Sequence, residues 1–135
     1  MKLTLIPPNT KLESNGEGAP LDISSSATRT FLCFLTVTDQ IEQESLDVCI
    51  YGSPDGQAWT PKPLLKLPQQ FYRGQTKMVL DLSFRPKIKF IRGSWELNRW
   101  GRGAPLPMFV VGLELTEVPA MSRETPSKAA SVAAR

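Results

Sequence analysis

The chain has 135 residues and a mass of 15.0 kDa, the size of one domain, and at this length folding removes roughly two thirds of the unfolded chain's surface from water. Hydrophobic residues make up 41% and charged residues 21%, the formal net charge is +3, and there is no histidine. The lack of imidazole excludes Ser-His-Asp and Cys-His catalysis, histidine general bases and every metal site that needs that ligand. No apolar run approaches the roughly 20 residues of a membrane-spanning helix.

At the N-terminus, Lys2 is followed by a short apolar stretch that Pro7 and Pro8 end, with no small-residue cleavage site, which does not fit a secretory signal. Lys2–Ile6 and Pro20–Ile23 are predicted to be short strands. Arg29–Thr38 is β-branched and aromatic and apolar on both alternating faces, so it is predicted to be a central buried strand. After the polar turn Asp39–Glu44, Leu46, Val48 and Ile50 alternate with Asp47, Cys49 and Tyr51. That is the period of a half-buried strand, and the two segments are expected to pair as an antiparallel hairpin. Cys33 and Cys49 lie inside these runs and are expected to be buried free thiols. The hairpin would bring them close enough for a bridge, but nothing in their spacing calls for one. A reducing cytoplasm is the expected compartment.

Gly52-Ser53-Pro54-Asp55-Gly56 combines the fixed φ of proline with an Asp-Gly pair that tolerates positive φ, a reversal signal. Trp59 is expected to cover the end of the core. Pro61, Pro63 and Pro68 flank Leu64–Leu67 and restrict it to a short edge strand, because proline cannot donate to a ladder. Lys77–Leu82 alternates again. In Ile88–Leu97 polar and apolar residues mix on both faces, which predicts a change of inward face at a bulge near Gly93. Met108–Val118 is the last strand. The sum is an all-β domain over residues 1–118, an antiparallel two-sheet, jelly-roll-like sandwich of about seven or eight strands. Residues 119–135 turn to Ala, Ser, Thr and Pro and are expected to form a disordered tail.

The order of a hairpin of two apolar strands, Ser53-Pro54-Asp55-Gly56 with Trp59, Leu80-Asp81-Leu82-Ser83, Lys89-Phe90-Ile91-Arg92 with Trp95, and a closing apolar strand resembles discoidin-type (galactose-binding-like) β-sandwich modules, including small bacterial and phage structural proteins. The resemblance spans residues 29 to 117. It implies a jelly roll whose loops bind glycans, lipids or protein partners, and no catalysis; it carries over no ligand residue.

Charge is unevenly placed along the chain. Residues 1–61 hold three basic and eight acidic groups, a balance of −5, while residues 62–102 hold ten basic and two acidic groups, a balance of +8. Such a segment could face an anionic surface, or its lysines could simply solvate strand faces and guard edges. The segment Arg92–Pro107 gathers Arg92, Arg99, Trp100 and Arg102 with Gly101 and Gly103. Trp and Arg dominate binding hot spots, and glycine-rich connections between strands commonly carry function. These four residues and Trp59 are the candidate partner-binding residues. Trp95 is expected in the core, and Trp59 with Phe71 and Tyr72 forms a possible second aromatic patch.

Gly101-Arg102-Gly103 lacks the remaining glycines and the lysine of a phosphate loop. Asp81, Glu96 and Glu114 fall on separate predicted strands with no pattern for paired-carboxylate hydrolysis. The acidic residues of 39–47 have no calcium-loop spacing. No catalytic residue, metal or cofactor is expected. The expected function is that of a non-catalytic structural or accessory subunit docking on a larger protein assembly through the aromatic and basic loop. The alternatives are a carbohydrate-binding module, with Trp100 or Trp59 stacking on sugar rings, and nucleic-acid or anionic-surface binding by the basic segment 62–102.

Overall fold

The computed structural model describes residues 1–100 and 108–119. The expected tail from residue 120 onward, and Arg102 with its neighbouring glycines, lie outside the described residues. Among those described there is no helix, and none therefore long and apolar enough to cross a membrane. Nine strands form two antiparallel sheets packed as a sandwich: β1 (Lys2–Leu12), β2 (Gly16–Glu17), β3 (Leu21–Asp22), β4 (Thr30–Gln40), β5 (Glu44–Ser53), β6 (Leu65–Lys66), β7 (Gly74–Asp81), β8 (Phe90–Arg99) and β9 (Phe109–Glu117). One sheet has the order β1-β9-β4-β7; the other has β2-β8-β5-β6, with β3 also paired to β8. With β2 and β3 as two halves of an interrupted strand, this is the strand order of a jelly roll.

Alternation sets the core. Phe31, Cys33, Leu35 and Val37 of β4 and Val111, Leu113 and Leu115 of β9 point inward from one sheet and are at most 2% exposed. Leu46, Val48 and Ile50 of β5 and Ile91 of β8 meet them from the other and are fully buried. Each large apolar side chain taken out of water in this way contributes roughly 1.5–3 kcal/mol.

Three local expectations are corrected. β4 and β5 do not form a hairpin: β4 pairs with β7 and β9, β5 with β6 and β8. The connection between them has neither glycine nor an Asn-Gly or Asp-Gly pair to close a two-residue turn, and it arches from one sheet to the other. Cys33 and Cys49 consequently sit in different sheets as free thiols, the first buried and the second only half-buried. There is no bulge at Gly93, since β8 keeps register with β5 from Arg99 opposite Glu44 to Phe90 opposite Ser53. Ile91, Gly93, Trp95 and Leu97 all face inward, and Trp95 packs against the core as half-buried cover. Nor do Pro7 and Pro8 end the first strand. β1 runs on to Leu12 through register shifts between Thr4 and Ile6 and between Ile6 and Thr10, and the prolines occupy the irregular part of an edge strand, where a missing N–H breaks no ladder.

The proline-flanked segment does become the two-residue edge strand β6. The reversal after β5 also forms as the residues imply. The Ser53 hydroxyl accepts from the Gly56 amide at 2.8 Å, Asp55 accepts from the amides of Gln57 and Ala58, and Gly56 has φ 81°.

Candidate partner-binding site

β8 ends by carrying Trp100 to one end of the sandwich, where the Trp100 amide donates to the Gln43 carbonyl at 3.0 Å and so ties the strand to the β4–β5 arch. The connection from β6 to β7 reaches the same end. Gln70 exchanges two backbone hydrogen bonds with Leu46, both 2.9 Å, and this anchor leaves the next residues, Phe71 and Tyr72, facing solvent. Phe71 lies 6.2 Å from Trp100, edge-on at 66°, and 6.3 Å from Tyr72. The three rings remain 39%, 68% and 58% exposed for Phe71, Tyr72 and Trp100, so they form a preorganised aromatic patch rather than part of the core.

Polar groups surround and underlie this patch. Arg73 pairs with Asp39 at 3.1 Å on the rim. Glu44, 1% exposed, accepts from the Met108 amide at 2.7 Å. Burial pushes its carboxyl upward, while the Met108 amide and the charge of Arg99 pull it down, with burial prevailing. Among the described residues the second Glu44 carboxyl oxygen and the Gln40 side-chain amide oxygen have no hydrogen-bond partner.

The five candidate residues do not come together. Arg92 and Trp59 lie on the outer face of the β2-β8-β5-β6 sheet. The Arg92 guanidinium carbon stands 4.2 Å from the centre of the Trp59 ring, within cation–π range, and Nη1 meets Glu17 at 3.3 Å. Trp59 therefore covers Arg92 and not the end of the core. Six intervening residues of extended strand, a span of roughly 23 Å, separate Arg92 from Arg99 on β8. Arg99 and Trp100 belong to the aromatic end; Arg102 is outside the described residues. Much of the segment taken as a loop is strand, and its alternation sends neighbouring side chains to opposite faces.

No protein-family model matches the chain, and no curated protein matches it in sequence. Two features of the exposed aromatic surface, one at the site and one away from it, were missed from the residues alone. Phe71 and Tyr72 belong with Trp100 instead of Trp59, a pairing fixed by which strands share an end. Phe84 is 88% exposed on the β7–β8 connection at the opposite end, and its place between Ser83 and Arg85-Pro86, outside any strand alternation, is the signal that marks it. That connection is held by Arg29, whose guanidinium donates to the carbonyls of Leu82, Arg85 and Ile88 at 3.3, 2.8 and 2.6 Å. The charges of the basic segment are dispersed. Arg73 meets Asp39, Arg92 meets Glu17, Lys89 acts on Asp22, and Lys77 lies over Phe34 on the other sheet. Among the described residues, no three His, Cys, Asp or Glu side chains converge as metal ligands.

Proposed function

We propose that this protein is a non-catalytic β-sandwich accessory subunit that docks on a protein partner in a larger assembly through the end bearing Phe71, Tyr72 and Trp100. The observation that carries the reading is the gathering of three exposed aromatic rings from two separate stretches of chain, Trp100 tied by its amide to Gln43 and Phe71 and Tyr72 following the Gln70–Leu46 backbone pair. Aromatic side chains held rigidly in water lose little conformational entropy on binding, and their burial dominates interface energetics. The rim pair Arg73–Asp39 supplies polar groups around that apolar centre, the usual arrangement of an interface. Two unbridged thiols suit a reducing compartment. Binding of a polyanion through residues 62–102 has weaker support, because acidic partners from the first half of the chain neutralise several of those basic groups.

The test is affinity capture from the native host with the wild-type chain and a Tyr72→Ala/Trp100→Ala variant, both folded by circular dichroism. A stoichiometric protein recovered by the wild type and lost by the variant is the expected result. Recovery of the same set by both, or of nucleic acid alone with salt-dependent yield, would overturn the reading.

A further inference from the structure

The edges of the two sheets are unequal. β2, β3 and β6 have two residues each, β6 between prolines, and β1 carries Pro7 and Pro8 in its irregular part. Short strands, prolines and broken register are the devices that blunt an edge. β7 has none of them. It pairs with β4 over eight unbroken positions, from Gly74 opposite Val37 to Asp81 opposite Thr30, and among the described residues no strand pairs with its other side. The Leu82 amide donates to the Arg29 carbonyl at 2.8 Å. From there the antiparallel alternation turns the backbone groups of Leu80, Met78 and Thr76 toward β4, and those of Asp81, Val79, Lys77 and Gln75 to the open edge. The side chains of these last four are exposed on the outer face of the sheet, Val79 to 55%.

We infer that β7 is a self-association edge, where a second copy of this chain pairs antiparallel about a twofold axis at Val79. The residues choose the register. With the axis there, Val79 lies opposite Val79 of the second copy, Lys77 opposite its Asp81, and Asp81 opposite its Lys77. All three pairs fall on residues whose N–H and C=O face the edge, so each exchanges two backbone hydrogen bonds, and an apolar pair is flanked by two pairs of opposite charge. Moving the second copy two residues either way sets Val79 opposite Lys77 or Asp81 instead; a slip of one residue sends the apolar faces to opposite sides. Both charges are available. Among the described residues Lys77 makes no ion pair, and its Nζ stands 5.9 Å from the Phe34 ring centre, near the limit of cation–π attraction. Asp81 accepts from the Thr30 hydroxyl and from the amide and hydroxyl of Ser83, all at Oδ1, so Oδ2 can receive the lysine. A lysine on an edge repels unselected strands, and here it admits the strand that sets an aspartate opposite it. One strand pair buries less than a standard interface, so a weak, micromolar association is expected. Because β7 begins beside the aromatic end, antiparallel pairing points the Phe71 and Trp100 ends of the two copies in opposite directions.

The test is sedimentation velocity of the full chain from about 5 to about 500 µM. The wild type should pass reversibly from monomer to dimer. Lys77→Glu and Asp81→Lys, both exposed changes, should each weaken self-association about tenfold or more, because each sets like charges opposite one another twice. An equimolar mixture of the two should dimerise again, since both pairs of the mixed dimer are of opposite charge. Val79→Pro, at an amide that faces the open edge, should abolish the dimer and leave the circular dichroism of the monomer as in the wild type. Tyr72→Ala/Trp100→Ala should leave the association unchanged, so this inference and the docking proposal fail separately. A wild type that stays monomeric throughout overturns the inference. So does a dimer that Val79→Pro retains or that the aromatic variant abolishes, or a mixture of the charge variants no more dimeric than its components.

Discussion

The Glu117 carboxylate at the end of β9 accepts a hydrogen bond from the Thr28 amide at 2.9 Å, across 89 positions of sequence. The same oxygen accepts from the hydroxyls of Ser26 and Thr28, and the other oxygen pairs with the Met1 amino group at 3.3 Å. These donors, the Thr28 amide first and Ser26 second, hold its carboxyl down to about 2 from an ordinary 4.5. A depressed acid stabilises the fold fully above its unfolded value, and that contribution is lost as pH falls from about 4.5 toward about 2. Glu117→Gln should therefore cost about 1–2 kcal/mol at neutral pH and flatten the acid limb in that window. Denaturant unfolding at pH 7, 4 and 2.5 checks it; an unchanged slope between pH 4.5 and 2.5 would show that the carboxylate contributes nothing.

Arg29 clasps three carbonyls of the connection that displays Phe84. Arg29→Met should leave them without a charged donor and destabilise the fold by about 2 kcal/mol. Hydrogen exchange is the sharper readout. The amides of Arg85 and Ile88, which bond to Leu82 and Arg85 within this turn, should lose protection. Unchanged exchange would mean that the turn holds itself.

Two strand glycines should respond oppositely to alanine. A Cβ at Gly112 would lie 2.9 Å from Pro8 Cα, a backbone atom that can yield only if β1 moves, so Gly112→Ala should cost about 1–3 kcal/mol. At Gly93 the nearest neighbour would be Leu5 Cβ at 3.8 Å, ordinary contact, and the residue sits in regular strand. Gly93→Ala should raise stability by about 0.5–1 kcal/mol through the unfolded state. Thermal unfolding of the pair decides both, and loss of stability in Gly93→Ala would contradict the unbroken register of β8.

The thiols should differ in reactivity. Burial pushes Cys33 up to about 12 and also raises Cys49, where Lys66 pulls the other way. A disulfide reagent should modify Cys49 slowly in the native state and Cys33 only on unfolding. Lys66→Gln, which removes the favourable charge, should slow Cys49 further. Equal native rates for the two would refute the placement of Cys33.

Face was easier to read from the residues than partnership. The alternation of Leu46, Val48 and Ile50 states which side of β5 is apolar, and the prolines around Leu65 state that β6 is brief and peripheral. Both are local steric facts. That β4 avoids β5 is not local: period two is the same whether the next strand lies alongside or in the opposite sheet, and only the missing turn chemistry at 39–44 hinted at the arch. The split of the candidate site has a similar cause. Arg92 and Arg99 look adjacent in a sequence rich in Trp and Arg, yet an extended strand carries them to different neighbours. Phe71 joins Trp100 because β7 begins at the end where β8 finishes, which follows from topology.

The interleaving of the sheets has a temporal side. Lys2 of the first strand pairs with Thr116 of the last, and β9 is also the partner of β4. A chain emerging from the ribosome therefore carries β1 and one side of β4 without their ladder until Phe109–Glu117 has been made. Sheets assembled from such distant pairings close slowly, on the order of milliseconds to seconds, and until then the unpaired apolar strands are open to unwanted partners. The prolines of β1, set on an edge that must wait longest, make that strand a poor template for any other chain in the interval.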